Sequence, residues 1–269
     1  MSRIGSVFGR LKEEGRQALV TYLVAGDPQP DATVPAMHAM VEAGADLIEL
    51  GIPFSDPEAE GPDIQAGCER ALEHRTRLVD VLAMVEQFRA DDDRTGVVLM
   101  GYLNSVERMG HARFAEAAAA AGVDGLILVN LPPEEASDLR DEMRARELDL
   151  IFLLAPTTTR ARAERILELA SGFVYYVSLK GTTGAGNLDL VEVERRIGEL
   201  RELTTLPLAV GFGIRGGDSA RAVAGFADGV VVGSAVVRAM GEQAAQPQRI
   251  PGVLGELVGE LRRAMDDRC

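Results

Sequence analysis

Glu49 lies in an apolar run, Leu47-Ile48-Glu49-Leu50. A loop punctuated by Pro53, Pro57, Gly61 and Pro62 follows it and carries three further carboxylates, Asp56, Glu58 and Glu60. An acid in an apolar strand is costly unless it is paired or used. A second acid on a loop that folds back gives two carboxylates on one substrate, which is what acid–base chemistry needs.

Three glycine-rich loops suggest a second kind of chemistry. They are Gly181-Thr182-Thr183-Gly184-Ala185-Gly186, Gly211-Phe212-Gly213-Ile214 with its continuation Arg215-Gly216-Gly217-Asp218, and Gly233-Ser234. Glycines let backbone N–H groups approach an anion, and a helix N-terminus supplies aligned donors. Any one loop alone reads more readily as a plain turn, but three at successive strand ends favour phosphate. The first, with hydroxyls among its glycines, is either a lid that excludes water or a simple connection. Tyr22, Tyr102, Tyr175, Tyr176 and Phe212 sit on or just after apolar runs and line a pocket or fill the core. Tyr175 and Tyr176 are neighbours, so they cannot both face the same side of a sheet. His38, His74 and His111 lie apart in helical stretches and read as packing or surface residues. No cluster has metal-ligand spacing, so no metal site is expected. Asp27, at the end of the first run, either caps a turn or binds.

These residues need a scaffold. Short apolar runs occupy Ala18–Val24, Asp46–Leu50, Gly96–Met100, Gly125–Val129, Asp149–Leu154, Phe173–Val177, Pro207–Val210 and Gly229–Val232. None alternates with polar residues, so both faces of each strand are buried, as in a parallel sheet. Amphipathic stretches of helical period lie between them, including Gly110–Ala121, Glu134–Arg146, Arg160–Ala170 and Leu190–Leu203. A related phrase precedes several strands: Ala43-Gly44-Ala45-Asp46, Ala121-Gly122-Val123-Asp124 and Ala227-Asp228. Its glycine suits a helix C-terminus. The pattern predicts an α/β chain, a single-domain (β/α)8 TIM barrel over 1–269, with an open doubly wound sheet as the alternative. An extra N-terminal helix precedes the first strand. The second βα unit is the longest, and its extra length begins with the acidic loop 53–62. In such a barrel, function sits at the C-terminal strand ends.

Composition narrows the partners. The chain has 269 residues, 46% hydrophobic and 26% charged, with a net charge of −14. Nucleic acid and anionic membranes are therefore poor partners. Cys68 and Cys269 form no disulfide framework, which points to a reducing compartment. Met1 to Glu14 lacks an apolar signal core, and no apolar run approaches the ~18 residues of a membrane span. A cytoplasmic protein is expected.

Glu49-Leu-Gly-Ile-Pro-Phe-Ser-Asp-Pro, Met100-Gly-Tyr-Leu-Asn104, Leu131-Pro-Pro-Glu-Glu135, Pro156-Thr-Thr-Thr159, Tyr175-Tyr-Val-Ser178, Thr183-Gly184 and Val210-Gly-Phe-Gly-Ile214 resemble the tryptophan synthase alpha chain family, in order along nearly the whole chain. The resemblance implies a (β/α)8 barrel that cleaves indole-3-glycerol phosphate to indole and glyceraldehyde 3-phosphate without a cofactor. It implies a beta-chain partner, in an alpha2beta2 complex, that holds pyridoxal phosphate and consumes the indole. By the same resemblance Glu49 is the general acid–base, Glu60 the second acid near the indole N–H, and Tyr175 a neighbour of the reacting carbon. Tyr22, Met100, Thr183 and Phe212 would contact substrate. Gly184, Gly213, Gly233 and Ser234 would hold the phosphate, and Asp56, Pro57 and Asn104 would meet the beta chain.

Departures from the family pattern cluster at this site. Glu60 replaces an Asp, Glu58 an apolar residue, Asp63 an uncharged one, Asn130 an Asp, Ser105 a Pro and Val24 a Thr. A displacement of about 1 Å in a catalytic group can cost ~10²-fold in rate. Crowding of Asp56, Glu58, Glu60 and Asp63 predicts carboxyl pKa values raised by mutual repulsion. Two rival readings keep the barrel: a repurposed lyase or aldolase acting on a related phosphorylated substrate, and a weakly catalytic ligand-binding subunit that regulates a partner.

Overall fold

Both faces of every strand are apolar, and the chain satisfies this by closing the sheet on itself. In this computed structural model, which describes residues 2–178, 189–211, 213–214 and 216–267, eight parallel strands form a closed barrel in sequence order. They are β1 (Ala18–Val24), β2 (Leu47–Gly51), β3 (Gly96–Gly101), β4 (Gly125–Leu128), β5 (Asp149–Leu154), β6 (Val174–Val177), β7 (Leu208–Gly211) and β8 (Gly229–Val232). The helices are α1 (Arg3–Glu13), α2 (Pro30–Glu42), α3 (Pro62–Glu73), α4 (Leu78–Arg89), α5 (Leu103–Met109), α6 (His111–Ala121), α7 (Ser137–Arg144), α8 (Arg160–Leu167), α9 (Leu190–Arg201), α10 (Gly217–Ala224), α11 (Ser234–Glu242) and α12 (Ile250–Asp266). The expected barrel is therefore present, and the open sheet is not. The long second unit holds two helices, α3 and α4. The helix expected over 134–146 is broken: Pro133–Glu135 forms a tight 3-10 turn before α7 begins at Ser137.

Alternation along the strands sorts side chains into two cores. Val20, Tyr22, Leu47, Val98, Met100, Ile127, Ile151, Tyr175, Ala209 and Val231 fill the barrel. Their strand neighbours, among them Leu19, Ile48, Leu99, Leu126, Tyr176 and Val210, pack outward under the helices. Tyr175 thus faces inward and Tyr176 outward, as period-two geometry requires. Helix α1 closes the N-terminal end. Its Ile4, Val7, Phe8 and Leu11 join the inner core, and Phe8 lies 5.7 Å from Phe173, ring centre to ring centre.

The recurring phrase before the strands is a clamp. The carboxylate of Asp46 accepts the N–H of Leu19 at 2.9 Å, that of Asp124 accepts Val97 N–H at 2.8 Å, and that of Asp228 accepts Leu208 N–H at 2.8 Å. Each ties its strand to the start of the preceding one. Each also meets an arginine: Arg262, Arg89 and Arg201 respectively. In the first two phrases the glycine has positive φ, 110° at Gly44 and 84° at Gly122, and a side chain there would run into Arg262 or Arg89.

Asp124 is the most deeply committed of the three, since it also takes Arg3 at 3.0 Å and is only 4% exposed. Asp124→Ala removes the buried carboxylate shared by two guanidinium groups and a strand amide. Urea unfolding should show a loss of about 3–5 kcal/mol; a loss below about 1 kcal/mol would mean the clamp does not stabilise the barrel.

Candidate active site

Glu49 is two residues after inward-facing Leu47, so strand alternation turns its carboxyl into the barrel. It sits in register between Tyr22 of β1 and Val98 of β3. It is 1% exposed, and its Oε2 has no hydrogen-bond partner among the described residues. Burial, then the nearby charge of Glu60, pushes its pKa up to about 8. Such a group is protonated at neutral pH and ready to give that proton away.

Glu60 reaches the same space from the β2–α3 loop. Its backbone is fixed on both sides: its N–H donates to Pro57 O at 3.0 Å, and Gln65 Nε2 donates to Glu60 O at 2.9 Å. The loop is pinned to the barrel by Tyr102, whose hydroxyl accepts the Ala59 N–H at 3.0 Å and whose ring stacks on Phe54 at 4.9 Å. Of the four acids on or beside this loop only Glu60 turns inward. Asp56 and Glu58 are exposed, and Asp63 pairs with Arg238 at 3.3 Å. The expected mutual repulsion is therefore not what acts on Glu60. Burial raises it, to about 7.

Two tyrosines complete the inner wall. Tyr22 and Tyr175 are both buried, and burial holds each phenol well above its usual pKa, with the charges of Glu49 and Glu60 adding to the effect. Glycines on adjacent strands make room for them. A Cβ on Gly51 would lie 2.3 Å from the Tyr22 hydroxyl oxygen, and one on Gly211 would lie 2.1 Å from that of Tyr175. Met100, at the end of β3, joins the same inner core. The site is thus an apolar chamber containing two carboxyls and two neutral phenols, and no ion pair among the described residues reaches either carboxyl.

At the neighbouring strand ends, Gly213 follows β7 with φ 81°, a conformation that favours glycine. Gly233 caps α11, and Ser234 is its first residue. Adjacent strands therefore aim a glycine turn and a helix N-terminus at the same rim. Thr183, Gly184 and Phe212 lie outside the described residues. On the rim, Asp56 and Asn104 are exposed and Pro57 is half-buried. Asn130 organises this corner: its Oδ1 accepts the first N–H of α5, from Leu103, at 2.8 Å, and its Nδ2 donates to Asn104 Oδ1 at 3.4 Å. The histidines lie elsewhere. His38 packs on Phe88, His111 pairs with Glu107, and His74 follows α3.

Sequence reasoning missed two features. Tyr102 anchors the loop, whereas its aromatic character suggested a pocket wall or core filling. Asp27 is wholly buried in a two-pronged pair with Arg70 of α3, at 2.6 and 2.9 Å. An arginine on an amphipathic helix reads as solvated, and nothing in the sequence joins it to Asp27.

Comparison with known proteins places the chain beside one family. A family model described as tryptophan synthase alpha chain matches residues 8–266. Tryptophan synthase alpha chains of Thioalkalivibrio sulfidiphilus and Alkalilimnicola ehrlichii are 58% and 54% identical, each over 99% of this chain and over 100% and 97% of their own lengths. Among solved structures, the alpha subunit of tryptophan synthase from Legionella pneumophila is 43% identical, with a TM-score of 0.92 and full coverage of both chains. Tryptophan synthase of Mycobacterium tuberculosis is 39% identical, with a TM-score of 0.89 and 98% of each chain covered.

The buried carboxyl has a measurable cost. A folded-state pKa raised from 4.5 to about 8 means the folded chain holds this proton while the unfolded chain has released it. The penalty is absent below pH 4.5, grows as pH rises, and is complete above about 8, where it is on the order of 5 kcal/mol. Glu49→Gln removes it. Thermal melts should show the variant more stable than the parent at pH 9 and nearly equal to it at pH 5. A gain that does not depend on pH would contradict the burial argument.

Proposed function

The chain belongs to the tryptophan synthase alpha chain family, lyases that cleave indole-3-glycerol phosphate, and we propose that Glu49 moves the proton in that cleavage while Glu60 holds the indole N–H. The observation that carries this reading is the pair of buried, inward-turned carboxyls, both raised by burial, with Glu49 raised further by the charge of Glu60. Glu49 therefore keeps its proton longer than Glu60, whose charge is what holds that proton on. This is the division of labour that the reaction needs.

The steps balance without a further reactant. The Glu49 carboxylic acid gives its proton to indole C3. The ring nitrogen supplies the electron pair, and its growing positive charge is stabilised by the Glu60 carboxylate. The bond from C3 to the first side-chain carbon then breaks, and its electrons return to the ring to restore indole. The hydroxyl on that side-chain carbon becomes the aldehyde, and its proton returns to Glu49. Tyr175, inward on β6, packs against the reacting carbon, and Tyr22 and Met100 form the apolar wall that an indole ring requires. Thr183 and Phe212 complete the substrate contacts in this reading. Gly213, Gly233 and Ser234, joined by Gly184, present backbone donors to the phosphate.

Side chains handle both protons, so the step is written without a cofactor on this chain. The family works with a beta chain. We place that partner, which would hold the pyridoxal phosphate, against the rim formed by Asp56, Pro57 and Asn104. An acidic chain of this composition, in which no helix among the described residues is long and apolar enough to cross a membrane, suits a cytoplasmic biosynthetic enzyme. Two of the departures fit this reading. Glu58 points to solvent, and Glu60 keeps a buried carboxyl where the family has Asp.

Two experiments test the assignment. Glu49→Gln should abolish indole release from indole-3-glycerol phosphate, with or without added beta chain, while phosphate-ligand binding persists; retained turnover would defeat the role of Glu49. Glu60→Asp pulls the carboxyl back on a backbone that the loop holds fixed, so kcat/KM should fall about 10- to 100-fold. An increase would mean that the longer side chain is poorly placed.

A further inference from the structure

Helix α3 begins two residues after Glu60, and its seating decides where that carboxyl lies. Four contacts hold it. Asp27, just beyond β1, is wholly buried and accepts from Arg70 Nε at 2.6 Å and Nη2 at 2.9 Å. Gly67, one turn earlier on α3, packs so closely that a Cβ would lie 3.0 Å from Asp27 Oδ2, 3.2 Å from Val24 and 2.8 Å from Val237 of α11. The Arg70 guanidinium lies against the α11 backbone, where a Cβ on Gly241 would meet Nη2 at 2.9 Å. Asp63 in the first turn of α3 adds a second tie to α11 through Arg238 at 3.3 Å. Helix α11 in turn begins at Ser234, beside the proposed phosphate turn.

We propose that the Asp27–Arg70 pair is a positioning device for the lyase reaction, seating α3 on β1 and α11 and so fixing the Glu60 carboxyl relative to Glu49 and to the phosphate helix. This rests on the roles given above to Glu49 and Glu60. A planar guanidinium fork matches both oxygens of a carboxylate, which an ammonium group cannot do. The pair is therefore a geometric lock as well as a neutralised charge. Neither residue is among those assigned above to the substrate. The groups facing Glu60 are Tyr22 from β1, Glu49 from β2, Cys68 from α3, Tyr102 after β3 and Tyr175 from β6. The phenols and the thiol are neutral near pH 7. The acid limb of kcat/KM thus reports the carboxyl pair.

Arg70→Lys and Asp27→Asn test the lock, with Asp46→Asn as a control that breaks a comparably buried pair at the opposite end of the barrel. The readouts are kcat, KM and the pH profile of indole release from indole-3-glycerol phosphate, taken below each variant's melting temperature. Both lock variants should lower kcat about 10- to 100-fold with little change in KM. Their acid limb should move down by about one pH unit as water reaches Glu60. Asp46→Asn should lower the melting temperature and leave the limb in place. If either lock variant folds and keeps the parent kcat and acid limb, the pair is merely structural and the proposal fails while the lyase reading stands. If the parent chain itself releases no indole, the lyase reading fails and takes the proposal with it.

Discussion

The rest of this structure is arranged around two carboxyls buried without a cation among the described residues. Glu49 is forced inward by strand alternation and Glu60 by a loop that folds back over it. Water is excluded from both, and no arginine or lysine among the described residues offsets the loss. The folded chain compensates by holding protons that free carboxyls would release. A group kept protonated at neutral pH by its surroundings is a proton donor whose strength is set by the fold. The surrounding residues sustain that condition. Tyr22 and Tyr175 are neutral and bulky, Met100 is apolar, and Gly51 and Gly211 give the phenols room to lie across neighbouring strands.

This cost is carried by the other end of the molecule. At the N-terminal strand ends, acids are used in the opposite way. Asp46, Asp124 and Asp228 each accept a strand amide and meet an arginine. There the carboxylates are paired and clamp strand to strand, while α1 plugs the barrel with Ile4, Val7, Phe8 and Leu11. One chemical group thus serves two purposes, separated by the length of a strand. Paired at the bottom it stabilises, and unpaired at the top it is available for chemistry. The general rule for barrels, with stability at one face and activity at the other, has a specific electrostatic basis here.

Much of this was legible in the sequence because burial on both faces leaves an unmistakable run of apolar residues. The strands fall within a residue or so of the expected positions, from Ala18–Val24 to Gly229–Val232. Glu49 was legible for the same reason, since an acid interrupting such a run stands out. What remained hidden depends on contacts distant in sequence. Four acids lie on or beside one loop, and nothing local says that Glu60 alone turns inward. The Ala-Gly-x-Asp phrase marked a repeated unit, but its aspartates act on amides of the preceding strand. Asp27 left capping and binding unseparated because its partner, Arg70, lies 43 positions away. Family resemblance supplied the role of Glu60 where spacing alone did not.

The most direct test of the account is the titration of the two carboxyls themselves. Carbon-13 labelling of glutamate side chains, with Glu49→Gln and Glu60→Gln to assign the resonances, reads each protonation state in the folded protein. The account predicts two carboxyls that titrate far above the others, near pH 8 for Glu49 and near pH 7 for Glu60. If both instead lose their protons near 4.5 in an intact barrel, burial does not govern the site and the proton donor must be sought elsewhere.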